Sequence, residues 1–346
     1  MTSRRILVTG GAGFIGYHLS QKLAANREDQ IAIVDNFVRG ARDDELTELL
    51  SLPNVTLVNG DVCEPDLWRR IGGDFDEVYH LAAIIGVKNV LERPYDVVRV
   101  NALSTVRLLD WFAAGGGEKL LFSSTSEAYA WTQQFYSLPI PTPEESPLSL
   151  TDLTDPRSAY AGSKIFGELA VTQGCRVSGK RFSIVRYHNV YGPRMGYDHV
   201  IPELFARATG GENPLTVYSA DHQRAFCYVS DAVEATIAAM RVADADGMTI
   251  NIGNDGEEVT IAELASRLLH VAGIETALAP KSALNDPIRR RSPDLSRARS
   301  VLEYEPRVGL EDGLRLTLDW YARRPRDANG RNPRAHSPGR AERSTS

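Results

Sequence analysis

The sequence predicts an α/β fold built on a doubly wound parallel sheet, and three observations support this prediction. Apolar runs of strand length alternate with amphipathic stretches of helix length, as expected when helices cover both faces of a parallel sheet. The first run, at residues 6–8, ends in a group of glycines, and a helical pattern begins at Phe14. The second run, at residues 31–34, ends on Asp35. Together these features indicate a Rossmann fold.

The remaining sequence pattern predicts a large domain followed by a smaller one. Further strands of the sheet are predicted at residues 55–58, 77–81, 119–123 and 182–185. From about residue 189 the alternation breaks into shorter, proline-containing segments, with a helix, a strand and a helix predicted at residues 229–240, 249–252 and 260–272. We therefore predict a Rossmann domain over residues 1–188, to which some later segments return, and a smaller C-terminal substrate-binding lobe over residues 189–323.

Composition narrows the class of protein. The 346 residues are 42% hydrophobic and 24% charged, which is typical of a globular enzyme. A net charge of −6 gives no electrostatic reason to expect nucleic acid as a partner, and the apolar runs are too short to span a membrane. Three scattered cysteines and seven histidines show no metal-ligand spacing, and the thiols suit the reducing cytoplasm. Residues 324–346 are poor in apolar side chains, which predicts a disordered tail.

The glycine turn after the first strand predicts a dinucleotide site. Gly10, Gly13 and Gly16 follow the spacing G-x-x-G-x-x-G. Glycines there let the backbone approach a pyrophosphate, and the helix N-terminus supplies N–H donors and a positive dipole end. Asp35 follows Gly16 by 19 residues, which suits a carboxylate that accepts hydrogen bonds from an adenosine ribose. The same carboxylate would repel a 2′-phosphate, so NAD is favoured over NADP, although Arg39 and Arg42 lie nearby.

A tyrosine and a lysine four residues apart predict an acid–base group. Tyr160 and Lys164 lie on one face of a predicted helix. An ammonium beside a phenol lowers the phenol pKa from about 10 toward the working pH. Such a tyrosine can take the proton of a sugar hydroxyl while a hydride leaves to nicotinamide, and Thr125 can orient the same hydroxyl. Because such helical pairs are common, the pair is informative only together with the glycine turn.

These motifs together resemble the extended short-chain dehydrogenase/reductase family, in its branch of NAD-dependent nucleotide-sugar epimerases, dehydratases and decarboxylases. The similarity extends over roughly residues 5–322. It is found in residues 9–16, 35–36, 60–62, 79–83, 101, 123–127, 160–164, 186–194 and 223–231. The resemblance implies that NAD is held tightly and recycled within one turnover. It also implies a homodimer that packs through two helices per subunit, one of them carrying Tyr160.

The resemblance further implies roles for individual residues. The predicted NAD-binding residues are Gly10, Gly13, Phe14, Ile15, Gly16, Asp35, Asn36, Asp61, Val62, Leu81, Ala82, Ala83, Asn101, Tyr160, Lys164 and Tyr187. The predicted substrate-binding residues are Thr125, Ser126, Glu127, Asn189, Arg224 and one arginine of the triplet 289–291, taken as Arg291. A solvated basic loop is the alternative for that triplet. The predicted catalytic residues are Thr125, Glu127, Tyr160 and Lys164, and no metal is expected.

The expected reaction begins with oxidation of the sugar at C4, and three outcomes then diverge. Glu127 resembles decarboxylases and dehydratases, because many simple epimerases have a small residue at this position. Ser126, where glucose dehydratases typically have aspartate, weakens the dehydratase interpretation, and residues 81–87 resemble epimerases. The leading expectation is a UDP-glucuronate 4-epimerase that forms UDP-galacturonate. A UDP-glucuronate decarboxylase that forms UDP-xylose or a 4-keto-pentose comes second, and a 4,6-dehydratase third.

An alternative from another class is a non-catalytic NAD-sensing protein that keeps the fold and has lost the chemistry. Such proteins tend to lose the tyrosine or the lysine. Thr125, Tyr160 and Lys164 are all present, which makes this alternative remote.

Overall fold

The computed structural model describes residues 3–282 and 288–324, and the fold is given for these residues. The predicted tail, apart from Arg324, lies outside them. The strands are β1 (Arg5–Thr9), β2 (Gln30–Asp35), β3 (Val55–Asn59), β4 (Phe75–His80), β5 (Gly117–Thr125), β6 (Arg181–Tyr187), β7 (Val190–Tyr191), β8 (Leu215–Tyr218), β9 (Gln223–Ala225), β10 (Cys227–Tyr228), β11 (Thr249–Ile252), β12 (Glu258–Thr260), β13 (Leu278–Lys281) and β14 (Arg290–Arg291).

The α-helices of the same residues vary from one turn and a half to almost six turns. They are α1 (Phe14–Ala24), α2 (Asp44–Leu50), α3 (Pro65–Ile71), α4 (Val87–Glu92), α5 (Pro94–Trp111), α6 (Ala130–Phe135), α7 (Ser158–Ser178), α8 (Val200–Thr209), α9 (Val229–Arg241), α10 (Ile261–Ala272), α11 (Ser296–Leu302) and α12 (Leu310–Ala322). Across the described ranges, no helix is long and apolar enough to cross a membrane.

A seven-stranded parallel sheet forms the centre of the molecule, and the predicted fold class is confirmed. The strand order is β11-β6-β5-β4-β1-β2-β3, with every neighbouring pair parallel. Its central strands are buried almost completely because helices cover both faces, which explains their continuous apolar runs. The order reverses between β4 and β1. In such sheets, ligands bind beyond the carboxyl ends of the strands at this reversal.

The strand β11 joins the central sheet although it lies inside the range assigned to the smaller lobe. It pairs in parallel with β6, from Thr249 opposite Ile184 to Ile252 opposite Tyr187. The helix α9, which precedes it, packs on α1 and β6. This part of the chain therefore returns to the central sheet.

Short strands organise the smaller lobe, and periodicity in the sequence did not predict them because most have only two to four residues. The strand β9 pairs antiparallel with β12 and parallel with β14, which places Arg291 opposite Arg224. The predicted helix over 260–272 begins after Thr260, whose hydroxyl accepts a hydrogen bond from Glu263 N in a capping box. The lobe thus carries β14 to the end of the central sheet where β5 ends.

Candidate active site

The turn between β1 and α1 leaves space and donors for a pyrophosphate. Gly10 has φ +73°, and a Cβ there would lie 2.8 Å from Ala82 N, so only glycine fits. Gly13 is the N-cap of α1 and offers no side-chain cap, so the first N–H groups of the helix remain available to an anion. Phe14, Ile15 and Gly16 form this first turn. The geometry fits the diphosphate of a dinucleotide.

Asp35 ends β2 beside this turn. Its carboxylate accepts hydrogen bonds from Ala12 N at 3.0 Å and Phe37 N at 2.8 Å. Burial raises the pKa of Asp35, and these two bonds and the charges of Arg194 and Arg42 oppose that rise. A carboxylate at this place fits the adenosine ribose of NAD.

The two arginines that could have favoured NADP make other contacts. Arg39 lies after β2, and its guanidinium donates to the carbonyl of Ile85, which lies after β4, at 2.8 Å. The guanidinium of Arg42 lies 3.9 Å from the centroid of the Phe37 ring. The Asp35 carboxylate therefore remains available to accept hydrogen bonds from a ribose, and the residues present fit NAD.

The ends of β3 and β4 place the other predicted cofactor residues along the same edge. Asp61 accepts a hydrogen bond from Cys63 N at 2.8 Å, which orders the turn that includes the buried Val62. Asn36, after β2, accepts one from Val38 N at 3.1 Å. Leu81, Ala82 and Ala83 follow β4 and are partly exposed beside the glycine turn, where Ala82 N donates to Thr9 Oγ1 at 3.3 Å.

Asn101 joins the segment after β4 to the helix that carries the tyrosine and the lysine. From α5, its side chain accepts from Ile84 N at 2.7 Å and donates to Ile84 O and Ser163 Oγ, each at 3.1 Å. Ser163 in turn donates to the Tyr160 carbonyl at 2.8 Å. A buried amide therefore fixes α7 relative to the nicotinamide side of the predicted site.

The helix α7 presents Tyr160 and Lys164 to the end of β5. Lys164 Nζ donates to the Ser123 carbonyl at 2.7 Å. Burial lowers the pKa of Lys164 to about 8, against the charge of Glu168.

The expected lowering of the tyrosine pKa is wrong for the protein alone. Burial raises the pKa of Tyr160 to about 12, and the Glu127 carboxylate adds to the rise. A hydrogen bond with Thr125 and the charge of Arg39 oppose it. The Lys164 ammonium is directed to a backbone carbonyl, so it does not outweigh desolvation of the phenolate.

Glu127 forms an ion pair with one arginine of the triplet. Thr125 ends β5, and its hydroxyl accepts from Glu127 N at 3.2 Å. The helical turn Ser126–Tyr129 follows, with Ser126 buried. Glu127 Oε1 lies 2.6 Å from Arg291 Nη1, and the arginine side chain is only 12% exposed whereas that of Glu127 is 42% exposed. The pair is thus open to solvent from the glutamate side, in the region beyond the carboxyl end of β5 that we call the cleft.

The other two arginines of the triplet point elsewhere. Arg290 pairs with Glu258 at 2.8 Å, and the 81% exposed side chain of Arg289 lies 3.8 Å from Asp221. A solvated basic loop therefore describes Arg289, whereas Arg291 is the member that reaches Glu127.

Three more predicted residues lie near the boundary of the lobe and contact protein groups. Tyr187 ends β6, and its hydroxyl is 2.7 Å from Thr236 Oγ1 of α9. Asn189 donates to the Ala225 carbonyl at 3.1 Å. Arg224, on β9, donates to the Ile288 carbonyl at 2.9 Å. Asn189 and Arg224 thus lie on neighbouring segments, while the Tyr187 hydroxyl is directed to α9.

Sequence reasoning missed two groups around the tyrosine and lysine. The sequence position of Arg39 after β2 indicates only a possible contact with NADP, yet its charge acts on Tyr160. Glu168, one helical turn after Lys164, forms a buried bidentate ion pair with Arg186 at 2.9 and 2.6 Å. The spacing 160, 164 and 168 on one helix face was a signal that could have identified Glu168.

Known proteins are similar to this chain over nearly its whole length. A model of the NAD dependent epimerase/dehydratase family matches residues 6–253. UDP-glucuronic acid decarboxylase 6 of Arabidopsis thaliana is 35% identical over 319 residues, which cover 91% of this chain and 88% of that protein. UDP-N-acetyl-alpha-D-glucosaminuronate decarboxylase of Bacillus cytotoxicus is 33% identical over 333 residues, 92% and 98% of the two chains.

A solved structure is similar to the whole fold. The crystal structure of UDP-glucuronic acid 4-epimerase from Bacillus cereus in complex with NAD matches with a TM-score of 0.80 and 27% identity. The match covers 96% of this chain and all of that one, 100%.

Proposed function

Because this chain belongs to the NAD-dependent epimerase/dehydratase family, we propose that it decarboxylates UDP-glucuronate to UDP-xylose and CO2. The observation that supports this reaction most directly is the ion pair between Glu127 and Arg291 in the cleft. The names of the Arabidopsis and Bacillus cytotoxicus relatives support the same choice. The family expected from the motifs is confirmed, whereas the expected order of the two leading reactions is reversed in this proposal.

The first step needs a base at C4 and a hydride acceptor. NAD, held by the glycine turn, Asp35 and the ends of β3 and β4, would accept the hydride from C4 and later return it. Tyr160 would act as the general base that takes the C4 hydroxyl proton, and Thr125 would orient that hydroxyl. Thr125 and Arg39 favour this role, because both lower the pKa of Tyr160 against the effect of burial.

The second step breaks the C5–C6 bond. With a ketone at C4, the C6 carboxylate is β to a carbonyl, so the electrons of the C5–C6 bond can move into the C4 oxygen as CO2 leaves. C5 would then gain a proton from solvent, reduction at C4 would use the hydride that NAD had taken up, and Tyr160 would return the proton to the C4 oxygen. The net change is uptake of one proton and release of one CO2, with the nicotinamide unchanged.

The Glu127–Arg291 pair bears on this step through electrostatics. An arginine without a partner would stabilise the ionised C6 carboxylate and so protect the uronate. Here Glu127 already neutralises Arg291, so the arginine can orient the substrate carboxylate while the glutamate disfavours its charge. Both effects favour loss of CO2.

The second candidate is 4-epimerisation of UDP-glucuronate to UDP-galacturonate, which the Bacillus cereus structure favours at 27% identity over 96% of this chain. Incubation with UDP-glucuronate followed by proton NMR and CO2 measurement separates the two. We expect a five-carbon sugar and one CO2 per turnover. A six-carbon UDP-galacturonate without CO2 would replace the proposal by the second candidate, and no product from this substrate would contradict both.

We also propose that the protein acts as a homodimer through α5 and α7. These two helices pack on each other and leave an outward row of exposed apolar side chains. The row comprises Tyr95, Val98, Val106, Phe166, Leu169 and Val177. On each helix, the second exposed residue follows the first by three positions and the third follows the second by eight. This spacing places the three side chains on one face of the helix. An exposed apolar face on paired helices suits a second copy of the same chain.

The smaller lobe and the location of the protein complete the proposal. We assign binding of the sugar nucleotide to residues 189–323 apart from β11, because Asn189, Arg224 and Arg291 come from this range. We further propose that the enzyme acts in the cytoplasm, where its buried free thiols would remain reduced.

A further inference from the structure

Arg194 occupies a strained and buried position between the two parts of the molecule. It follows Gly192 and Pro193 shortly after β7, where the chain enters the smaller lobe. Its φ is +68°, in the left-handed region that side chains other than glycine rarely adopt. Its side chain is only 3% exposed. A conformation that costs free energy persists where the surrounding contacts require it.

The contacts of the Arg194 guanidinium come from three elements of the Rossmann domain. Nη2 donates to the Ala12 carbonyl at 3.3 Å. Nη1 pairs with Asp43 and, at 3.3 Å, with Glu45 of α2. The guanidinium carbon lies 4.1 Å from the centroid of the Tyr17 ring on α1. The side chain is therefore held in one orientation.

The carboxylate of Asp43 also fixes α2. Its Oδ2 pairs with Arg194, and its Oδ1 accepts from Leu46 N at 2.9 Å as the N-cap of that helix. The partner of Arg194 is thus itself anchored, so the arginine cannot move without disturbing the start of α2.

The peptide groups of Ala12 are held from both sides in the middle of the glycine turn. The N–H of Ala12 donates to Asp35 Oδ2 at 3.0 Å, and its carbonyl accepts from Arg194. Ala12 directly precedes Gly13, the N-cap of α1. We propose that Arg194 is a positioning residue for NAD, because its guanidinium holds the Ala12 carbonyl and thereby orients the N-terminus of α1 and the carboxylate of Asp35.

The charge of Arg194 adds an electrostatic effect to this geometry. Two cations act on Asp35, Arg194 from the start of the lobe and Arg42 from the segment after β2, and both lower its pKa. Loss of Arg194 therefore raises the pKa of Asp35, and the carboxylate that would accept bonds from the ribose becomes protonated at a higher pH. A residue that only supported the fold would not shift the pH dependence of NAD binding.

The test measures the dissociation constant of NAD by calorimetry, from neutral to acidic pH, on full-length protein stripped of nucleotide. For Arg194→Met we expect the Kd at neutral pH to rise by roughly tenfold or more, since the Ala12 carbonyl loses the guanidinium that orients the turn at the N-terminus of α1. We also expect the acidic loss of affinity to begin at higher pH. Arg194→Lys keeps the positive charge but lacks the planar guanidinium with its forked donors. We therefore expect the Kd of this variant for NAD to rise, while the pH at which NAD affinity is lost stays at the wild-type value.

The control is Arg299→Met on α11, which packs on β11 and α9; this variant removes a bidentate pair with Asp255, at 2.8 Å for both bonds. We expect its Kd and pH profile to equal those of the wild type. The proposal would be overturned by an Arg194→Met protein that has the wild-type Kd for NAD and loses affinity at the same acidic pH as the wild type, whatever its melting temperature. If that variant does not fold, Arg194→Lys decides, and a wild-type Kd overturns the proposal.

Discussion

Arg291 Nη1 lies 2.6 Å from Glu127 Oε1, although 164 residues separate them in the chain. The glutamate comes from the turn after β5 and the arginine from β14, which β9 holds in register. The central sheet and the smaller lobe therefore each contribute one charge to the same point of the cleft.

The first prediction concerns this pair. Arg291→Met should lower CO2 release from UDP-glucuronate by roughly 10²-fold, because the group that orients the reacting carboxylate is lost. Oxidation at C4, followed as transient reduced nicotinamide, should fall much less. Arg290→Met is the matched control, since that neighbour pairs with Glu258 and should retain full activity. Equal CO2 release by the wild type and Arg291→Met would contradict the assignment.

Tyr160→Phe should reduce turnover by roughly 10² to 10⁴-fold, as expected for loss of a general base. Binding of UDP-glucuronate should change little, because the ring and its packing remain. Single-turnover kinetics and calorimetry measure the two quantities separately. Near-native turnover would show that another group takes the C4 proton.

Lys164 should make the free energy of unfolding depend on pH. Its pKa falls from 10.5 to about 8 on folding, so between these values the unfolded chain binds more protons and stability rises with pH. Below pH 8 the buried ammonium costs free energy. Lys164→Met lacks this titration, so wild-type stability relative to the variant should rise over this window, by on the order of 3 kcal/mol. Urea unfolding at several pH values measures it, and a constant difference would exclude the lowered pKa.

NAD should bind in preference to NADP by roughly tenfold or more, because Asp35 would face the 2′-phosphate. Asp35→Asn should narrow this preference. Arg39→Met should leave NADP binding unchanged, because Arg39 donates to the Ile85 carbonyl. Titration of stripped protein with each cofactor measures the ratio. Tighter binding of NADP by the wild type would contradict the role of Asp35.

The proposed dimer should dissociate when its apolar face is charged. Leu169 is 59% exposed on α7, and Leu169→Asp would bury a carboxylate in the interface. Leu316 on α12 is similarly exposed, at 52%, so Leu316→Asp is the matched control and should remain dimeric. Light scattering after size-exclusion chromatography measures the mass. A monomeric wild type, or a dimeric Leu169→Asp protein, would exclude this interface.

The central strands and the glycine turn were predictable because their signals are local. Gly10, Asp35 and the buried strands can be recognised from the spacing of a few residues and from short apolar runs. The pairing of Arg291 with Glu127 was not predictable, since Arg289 to Arg291 are equivalent in sequence and a two-residue strand determines which of them reaches Glu127. The direction of the Tyr160 pKa shift was mispredicted for a related reason. The helical spacing identified Lys164 as a neighbour of Tyr160. Burial raises the Tyr160 pKa, however, and the Ser123 carbonyl determines where the Lys164 ammonium is directed.

The pairing of β11 with β6 bears on how the polypeptide can be divided. A fragment that stops at residue 188 would end its sheet on β6, whose outer row of N–H and C=O groups normally bonds to β11. Such an open, apolar edge recruits other strands, so the fragment should self-associate rather than remain a monomeric cofactor-binding unit. The protein therefore cannot be taken apart by cutting between its two regions, and recombination with relatives should exchange residues 181–187 and 249–252 together.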